Sequence, residues 1–428
     1  MESIGAIPSH WETRRLRTLA AYRTSSVDKK SAPDEAAVRL CNYTDVYYRE
    51  RILAGDDNFM HATASAQEID QFGLEIGDVL ITKDSEDWSD IAVPAVVEET
   101  ANDFVCGYHL GIIRPGSHLE PAFLFRALQS QSVNVQLQTA ATGVTRFGVT
   151  RGGVGRTVVP LPPMDEQRSI SAFLDSETAR IDKLITKQEL LIERLDEYRT
   201  ALVTKVVTKG LPPEAAEAAG LDPAPALKDS GVEWLGGVPE HWEIKSLVRA
   251  VIFQRGHDLP NDVREPGTVP VVSSAGVSGH HAEAAATGPA IVTGRYGSIG
   301  DFYVIDGPFW PLNTSLYSID LRGNDVMFLI FMLRSIKPLF IANAAKSAVP
   351  GVDRNDIHGI QVAIPGREEQ EAIAGYLKKM SERIDALRAK AELSIERLSE
   401  YRSALVSAAV TGKIDVREAA LAGSGGGG

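Results

Sequence analysis

Only two cysteines, Cys41 and Cys106, occur in 428 residues, too few for a disulfide framework. Each stands in an apolar or aromatic setting, which suits a buried free thiol in a reducing compartment. No apolar run is long enough to span a bilayer, and the opening MESIGAIPSHWETRR lacks the charged-then-apolar build of a secretory signal. The sequence therefore predicts a soluble, cytoplasmic protein. Catalytic signatures are scarce too: there is no Asn/Asp-Pro-Pro-aromatic quartet for amino methylation, no Walker A string, no HExxH and no paired-cysteine metal site. His280 and His281 have no Cys or His cluster to complete a zinc site. Positive charge is also in deficit, with 44 Lys and Arg against 57 Asp and Glu and a net charge of -13. That balance argues against a chain that wraps nucleic acid unaided. Residues 1–160 carry 15 basic against 21 acidic side chains, and 232–365 carry 10 against 13, so any DNA contact must be local or shared with a partner.

What the chain has in abundance is itself, twice. A shift of 203 lays Glu166–Thr208 on Glu369–Thr411 with 23 identities in 43 positions. A second echo, GAIPSHWETRRL at Gly5 and GGVPEHWEIKSL at Gly236, matches Trp11 to Trp242 with a shift of 231. The order is thus globular unit, long segment, globular unit, long segment. A length of 428 residues suits two to four such units.

Each long segment is read as a helix. Apolar residues recur in steps of three and four at Ile170, Leu174, Ile181, Leu184, Leu191, Leu195, Tyr198 and Leu202. The copy has Ile373, Leu377, Met380, Ile384, Leu387, Leu398, Tyr401 and Leu405. Proline and acidic residues mark the starts: Pro162, Pro163, Asp165 and Glu166, then Pro365, Glu368 and Glu369. A helix of about 40 residues cannot bury its own stripe, and the other copy is the nearest partner. Antiparallel pairing is expected because each helix starts where its own globular unit ends. Docking of each helix on its own domain, or homodimerisation, is the rival.

Short β-rich runs between turn residues, followed by helical stretches at Pro121 and Met327, make each globular unit α+β. The expected fold is therefore two homologous α+β recognition domains and two long antiparallel helices forming a coiled-coil-like spacer, a pseudo-two-fold internal repeat. The expected boundaries are 1–164 and 232–365 for the domains and 165–209 and 366–412 for the helices. A Pro/Ala/Gly linker is expected at 210–231 and a flexible tail at 413–428.

The repeated PxHW string (Pro8, His10, Trp11; Pro239, His241, Trp242), the PP..EQ and IP..EEQ helix starts and the twin IERLxEYRxALV helices together resemble the specificity subunit of type I restriction and modification systems. NYTDVYYRERI, CGYHLGIIRP and TGRYGSIG are also similar to segments of that family's target recognition domains. The resemblance covers nearly the whole chain. It implies that each globular unit reads one half of a bipartite, asymmetric site in double-stranded DNA while the helices act as a ruler. It further implies two docked modification subunits, adenine-N6 methyltransferases that use S-adenosylmethionine, and through them restriction subunits. The chain itself would carry no cofactor, no metal and no catalytic residue. Partners that contact phosphate would answer the charge objection.

Candidate DNA contacts are polar residues in Gly-flanked loops, where bare backbone lets side chains enter a groove. They are Arg295, Tyr296 and Ser298 in TGRYGSIG; Asn313 and Thr314 after PFWPL; Thr82 and Lys83 at a strand end; Arg146 in ATGVTRFG; and Lys346 and Ser347 in NAAKSAVPG. Each has a plain rival: a surface ion pair for Arg295, an Asx turn for Asn313, a pairing with Asp84 or Asp87 for Lys83. Arg151 and Arg354 occupy aligned positions, so they read as structural or phosphate-binding. His109 and Cys106 read as core. Three rival functions stay open: a recognition subunit with a different cutting partner, a coiled-coil scaffold without DNA specificity, and a nuclease site among scattered carboxylates.

Overall fold

In the computed structural model, which describes residues 4–56, 58–344 and 351–416, the two proline-led segments form helices Met164–Lys209 and Arg367–Val410. At 1.5 Å per residue these are about 69 and 66 Å long. Both end at a glycine in the left-handed region, Gly210 (φ +86°) and Gly412 (φ +69°), the conformation that stops a helix at no Cβ cost. The chain divides into two units, one of residues 1–188 with 393–428 and one of 189–392.

In the first unit a five-stranded sheet runs in the order Ala20–Thr24, Leu110–Pro115, Val79–Thr82, Pro94–Glu99, Arg51–Leu53. A three-stranded sheet sets Ala36–Cys41 between Met60–Ala64 and Phe104–Cys106. Cys41 and Cys106 are register partners there, both buried and free, and burial raises both thiol pKa values. Helices Pro121–Gln129 and Gln131–Ala140 share a core with Trp11, the start of the first long helix (Ile170, Leu174, Ile181) and the end of the second (Leu405, Val406, Ala409, Val410).

The second unit repeats the scheme. One four-stranded sheet orders Ile252–Arg255, Ser315–Asp320, Ala290–Gly294 and Phe302–Ile305; the other orders Gly276–His281, Val269–Ser273, Pro308–Pro311 and Ala286–Thr287. Its main core joins Trp242 and helix Val326–Ser335 to Ile373 and Leu377 of the second long helix and Val203, Val206 and Val207 of the first. Each unit thus clasps the beginning of one long helix and the end of the other. Among the described residues no single helix is long and apolar enough to cross a membrane; the bent pair Val326–Ser335 and Lys337–Ala344 passes only jointly and contributes to this core.

Ion pairs show the helices antiparallel within each unit. Asp182 accepts from Arg402 Nε at 2.9 Å in the first. In the second, Asp385 accepts from Arg199, and Arg388 lies 3.4 Å from Asp196. Shifting Asp182 by 203 gives Asp385, and Arg199 shifted likewise gives Arg402, so the two units use the same ion pair.

The repeated motifs turn out to be the clamp that fixes each domain to its helix. Trp11 Nε1 donates to Glu166 at 2.9 Å and Trp242 Nε1 to Glu369 at 3.0 Å, with His10 and His241 on the same carboxylates. Gln167 and Gln370 follow. Each donates back to a proline carbonyl (Pro162 or Pro365, both 2.9 Å) and accepts the amide that opens a domain helix, from Glu120 or Asp325, both 2.8 Å. A buried amide side chain satisfied on both ends locks an angle as well as a contact.

Two expectations need correction. The apolar stripe is only partly seam: Leu184, Leu191, Tyr198, Leu387 and Tyr401 are exposed, Tyr198 at 51%. Those positions follow a strict seven-residue spacing, and a straight helix drifts by about 20° per heptad, which carries them off the contact line. The run FVCGYHLGIIRP, which reads as a single strand, is two strands in different sheets, Phe104–Cys106 and Leu110–Pro115, with His109 at φ +73° in the turn between them. The linker at 210–231 carries helix Pro213–Ala218 and strand Leu227–Asp229, the latter paired to Gly237–Pro239.

Candidate nucleic-acid interface

In the first unit the strand pairing Gly148↔Asp84 brings two loops together. Gly143 makes the turn between them possible: at φ +148°, a Cβ there would lie 1.9 Å from the Arg146 carbonyl oxygen. The turn presents Arg146, whose Nε donates to Asp84 Oδ1 at 2.8 Å while its side chain stays half exposed. His109 Nδ1 also lies 2.9 Å from the Asp84 carboxylate, and 3.3 Å from Arg146 Nη2. Lys83 pairs with neither Asp84 nor Asp87. Its Nζ sits 4.7 Å over the ring of the exposed Tyr108, and Asp87 accepts instead from the Ser89 amide and hydroxyl. Lys83, Arg146, Tyr108 and His109 therefore share one polar rim, in which Arg146 is ion-paired with Asp84 and Lys83 rests on Tyr108.

In the second unit the strand Ala290–Gly294 leaves the sheet into a turn with Gly297 at φ +69° and Gly300 at φ +77°. Arg295 is pinned at both ends of its peptide: its N–H donates to Thr314 O and its carbonyl accepts from Val352 N, both at 2.9 Å. The guanidinium stacks 5.0 Å from the Tyr296 ring centroid, and Nη2 stops 3.9 Å from Asp353. Arg295 Nε and Thr314 Oγ1 are enclosed without a partner. Asn313 donates to Asp258, and its own N–H reaches His257 O at 3.0 Å. Beside them opens a cleft of about 590 Å³, lined by Gln254, Arg255, Gly256, His257, Asp258, Asp353, Arg354 and Asn355.

Arg295, Tyr296, Asn313 and Thr314 are thus brought together, with Ser298 in the adjoining turn, where its carbonyl accepts from Asp301 N at 3.3 Å. Lys83 and Arg146 meet in the other unit. Thr82 is set aside: it is 0% exposed and its hydroxyl accepts from Val93 N at 2.9 Å, so no groove can reach it. Lys346 and Ser347 lie outside the described residues. Arg151 and Arg354 each open a short helix, Arg151–Arg156 and Arg354–His358, and both are exposed.

His109 is a correction, since it stands on the rim and not in the core; its strained φ was invisible in sequence. Arg255 and His257 were missed as well. Their string QRGHD carries the same signal as TGRYGSIG, polar side chains flanking a glycine at a strand end.

His358 supports the floor of this cleft: its Nε2 accepts from Phe253 N at 3.1 Å. Burial first, then Arg354, lowers its pKa below 6.5. A histidine with a depressed folded pKa contributes stability that is present above the unfolded value and lost as pH falls through the folded one. His358→Gln should therefore flatten the acid side of a curve of melting temperature against pH, below about pH 6.5.

The sequence profile of the type I restriction modification DNA specificity domain matches this chain twice, over residues 8–194 and 239–397. The chain belongs to that family. A protein of Methanocaldococcus jannaschii, provisionally assigned as the MjaX specificity subunit of a type I restriction enzyme, is 22% identical over 442 residues, covering 97% of this chain and 96% of its own. The MjaVIII specificity subunit of the same organism is 27% identical over 138 residues, 32% of this chain and 28% of its own. In fold, the chain is similar to one from a structure of the type I R-M system (TM-score 0.72, 17% identity, 95% of this chain and 99% of that one). It is also similar to the HsdS subunit of Thermoanaerobacter tengcongensis (TM-score 0.57, 19% identity, 95% and 98%). As a type I specificity subunit it serves DNA sequence recognition, works with the other subunits of such a system and is not itself the catalyst.

Proposed function

We propose that this specificity subunit reads a bipartite, asymmetric DNA site, one half with the rim at Lys83 and Arg146 and the other with the loops at Arg295, Tyr296, Asn313 and Thr314. The observation that carries the reading is a repeated frame with unlike loops. The Trp–Glu clamp, the Gln brace and the Asp–Arg helix pair recur in both units, whereas the polar clusters differ in residue type and geometry. Identical mounts with different probes suit two different half-sites, and half-sites on one face of a duplex recur about 34 Å per turn. The long helices would hold that spacing.

Two modification subunits, adenine-N6 methyltransferases that bring S-adenosylmethionine, would dock on the helices, with restriction subunits joined through them. Exposed apolar side chains there support docking: Leu184, Leu393 and Tyr401 in the first unit, Leu190, Leu191, Tyr198 and Leu387 in the second. Partner subunits would also supply phosphate contacts that a chain of net charge -13 cannot.

The test is to map methylated adenines in a host carrying this chain and its cognate modification subunit. The expected result is a split motif with unlike halves and a constant gap. A continuous or palindromic motif would refute the reading.

A further inference from the structure

Because the frame repeats, one unit serves as a control for the other. In the first unit the Glu50 carboxylate stands at the wall of a cavity of about 330 Å³ between the domain and the helix pair, lined also by Gln129, Arg402, Ser403 and Val406. It accepts from Arg402 Nη2, from Gln129 Nε2 at 2.7 Å and from Arg126 Nη1 at 3.3 Å. Burial alone would raise its pKa; Arg402 and Arg126 outweigh that and hold it below the ordinary carboxylate range.

The groups around Glu50 have counterparts in the second unit. Arg402 becomes Arg199, Asp182 becomes Asp385 and Thr178 becomes Ser381 under the shift of 203. Gln129 and Arg334 are each the ninth residue of helices Pro121–Gln129 and Val326–Ser335, which are anchored alike at their first turns. Among the described residues of the second unit, no glutamate lines this place as Glu50 does in the first. The corresponding cavity there, about 250 Å³, is lined by Arg199, Thr200, Val203, Arg334, Ser381 and Asp385. Of the two guanidiniums there, Arg199 has Asp385, and Arg334 feels Asp301, a carboxylate already ion-paired with Lys337 at 2.5 Å. Arg199 bonds Asp385 but leaves Nε enclosed without a partner. Arg334 makes one 3.4 Å contact, to Phe302 O, and burial together with Arg199 lowers its pKa. At the position of Asp175, which offsets Arg126 in the first unit, the second unit has Lys378.

We propose that this cavity binds an oxyanion of the carboxylate or phosphate class, which the first unit supplies from its own chain as Glu50. An enclosed Arg199 Nε–H without a partner, a second guanidinium and the Ser381 hydroxyl beside it are the donor set such a group takes. The occupant is either a free small anion or an acidic side chain of a docked subunit; the second source rests on the docking proposed above.

The experiment follows melting temperature of the full chain as inorganic phosphate replaces chloride at constant ionic strength. Wild type should show a saturable rise. Arg334→Gln, which restores the first unit's neutral residue, should weaken phosphate by about tenfold to a hundredfold, the worth of one charge-assisted bond. Ser381→Asp, which places a carboxylate inside, should raise the melting temperature in chloride and abolish the phosphate response. The same titration on the chain co-purified with its modification subunit separates the sources: a retained response identifies a free anion, and a response that returns only when the subunit is stripped identifies a partner's acid. Equal phosphate responses in wild type, Arg334→Gln and Ser381→Asp would overturn the proposal.

Discussion

Arg126→Ala is expected to destabilise the protein by about 1.5–3 kcal/mol, the worth of hydrogen bonds to charged groups lost with a buried side chain. Arg126 is 1% exposed, yet it reaches four partners. Nε and Nη2 donate to Asp175 Oδ1 (3.2 and 2.7 Å), Nη2 to Thr178 Oγ1 (3.0 Å), and Nη1 to Gln129 Oε1 (2.8 Å) and Glu50 Oε2 (3.3 Å). Asp175 and Thr178 belong to the first long helix, Glu50 and Gln129 to the recognition domain, and Arg402 of the second long helix completes the network on Glu50. One guanidinium therefore ties the domain to both rods. Its counterpart in the second unit is Phe331, which makes the same joint by apolar burial. Arg126→Phe should rescue only in part, because Asp175 would keep Arg51 and Glu50 would keep Arg402 and Gln129, but each would lose one donor. Urea denaturation followed by circular dichroism measures the loss. A change under about 1 kcal/mol would mean the network relaxes without that donor.

The helices and the repeat were legible because both rest on local signals: apolar periodicity, proline and acidic starts, and identity at a fixed shift. The meaning of the repeated strings was not. PxHW and PP..EQ were visible as markers, but their bonding, Trp11 to Glu166 across 155 positions, is a tertiary fact with no local trace. The same limit explains the stripe. Apolar spacing cannot say which of two adjacent faces a long helix buries, so Leu191 and Tyr198 were counted with Ile181 although only Ile181 is buried. Among the candidate contacts, residue type and a flanking glycine located the loops but not the exposure of each side chain. Thr82 and Lys83 are neighbours in sequence and differ completely, because Thr82 ends a strand buried at every position whereas Lys83 lies just beyond it, over Tyr108. His109 failed the other way: an apolar neighbourhood suggested core, and a left-handed backbone put it on the rim.

If the loops read bases, Arg295→Ala should abolish discrimination at a single position of one half-site, costing about 1–3 kcal/mol, or roughly 5- to 150-fold, against the wrong base. The geometry favours Arg295 over its neighbours. Its peptide is fixed by Thr314 and Val352, and its guanidinium is steadied by Tyr296. Its nearest carboxylate oxygen, on Asp353, is 3.9 Å away, beyond hydrogen-bond range. Nε is enclosed without a partner, so a base edge would be met by the outer end of the fork. The side chain is therefore pre-positioned with donors unspent, as a bidentate contact to a guanine edge requires, and Arg295→Lys should fail nearly as badly because an ammonium cannot reproduce the fork. Lys83→Ala makes the opposite forecast. A point charge over an exposed tyrosine suits a phosphate, so its loss should weaken binding evenly across sequences and lower the salt slope by about one. Methylation mapping in cells carrying each variant separates the two. Arg295→Ala should relax one base of the motif and leave the other half intact, whereas Lys83→Ala should thin methylation without changing the motif. An unchanged motif with Arg295→Ala would remove that arginine from base recognition and leave its pinned loop a purely structural turn.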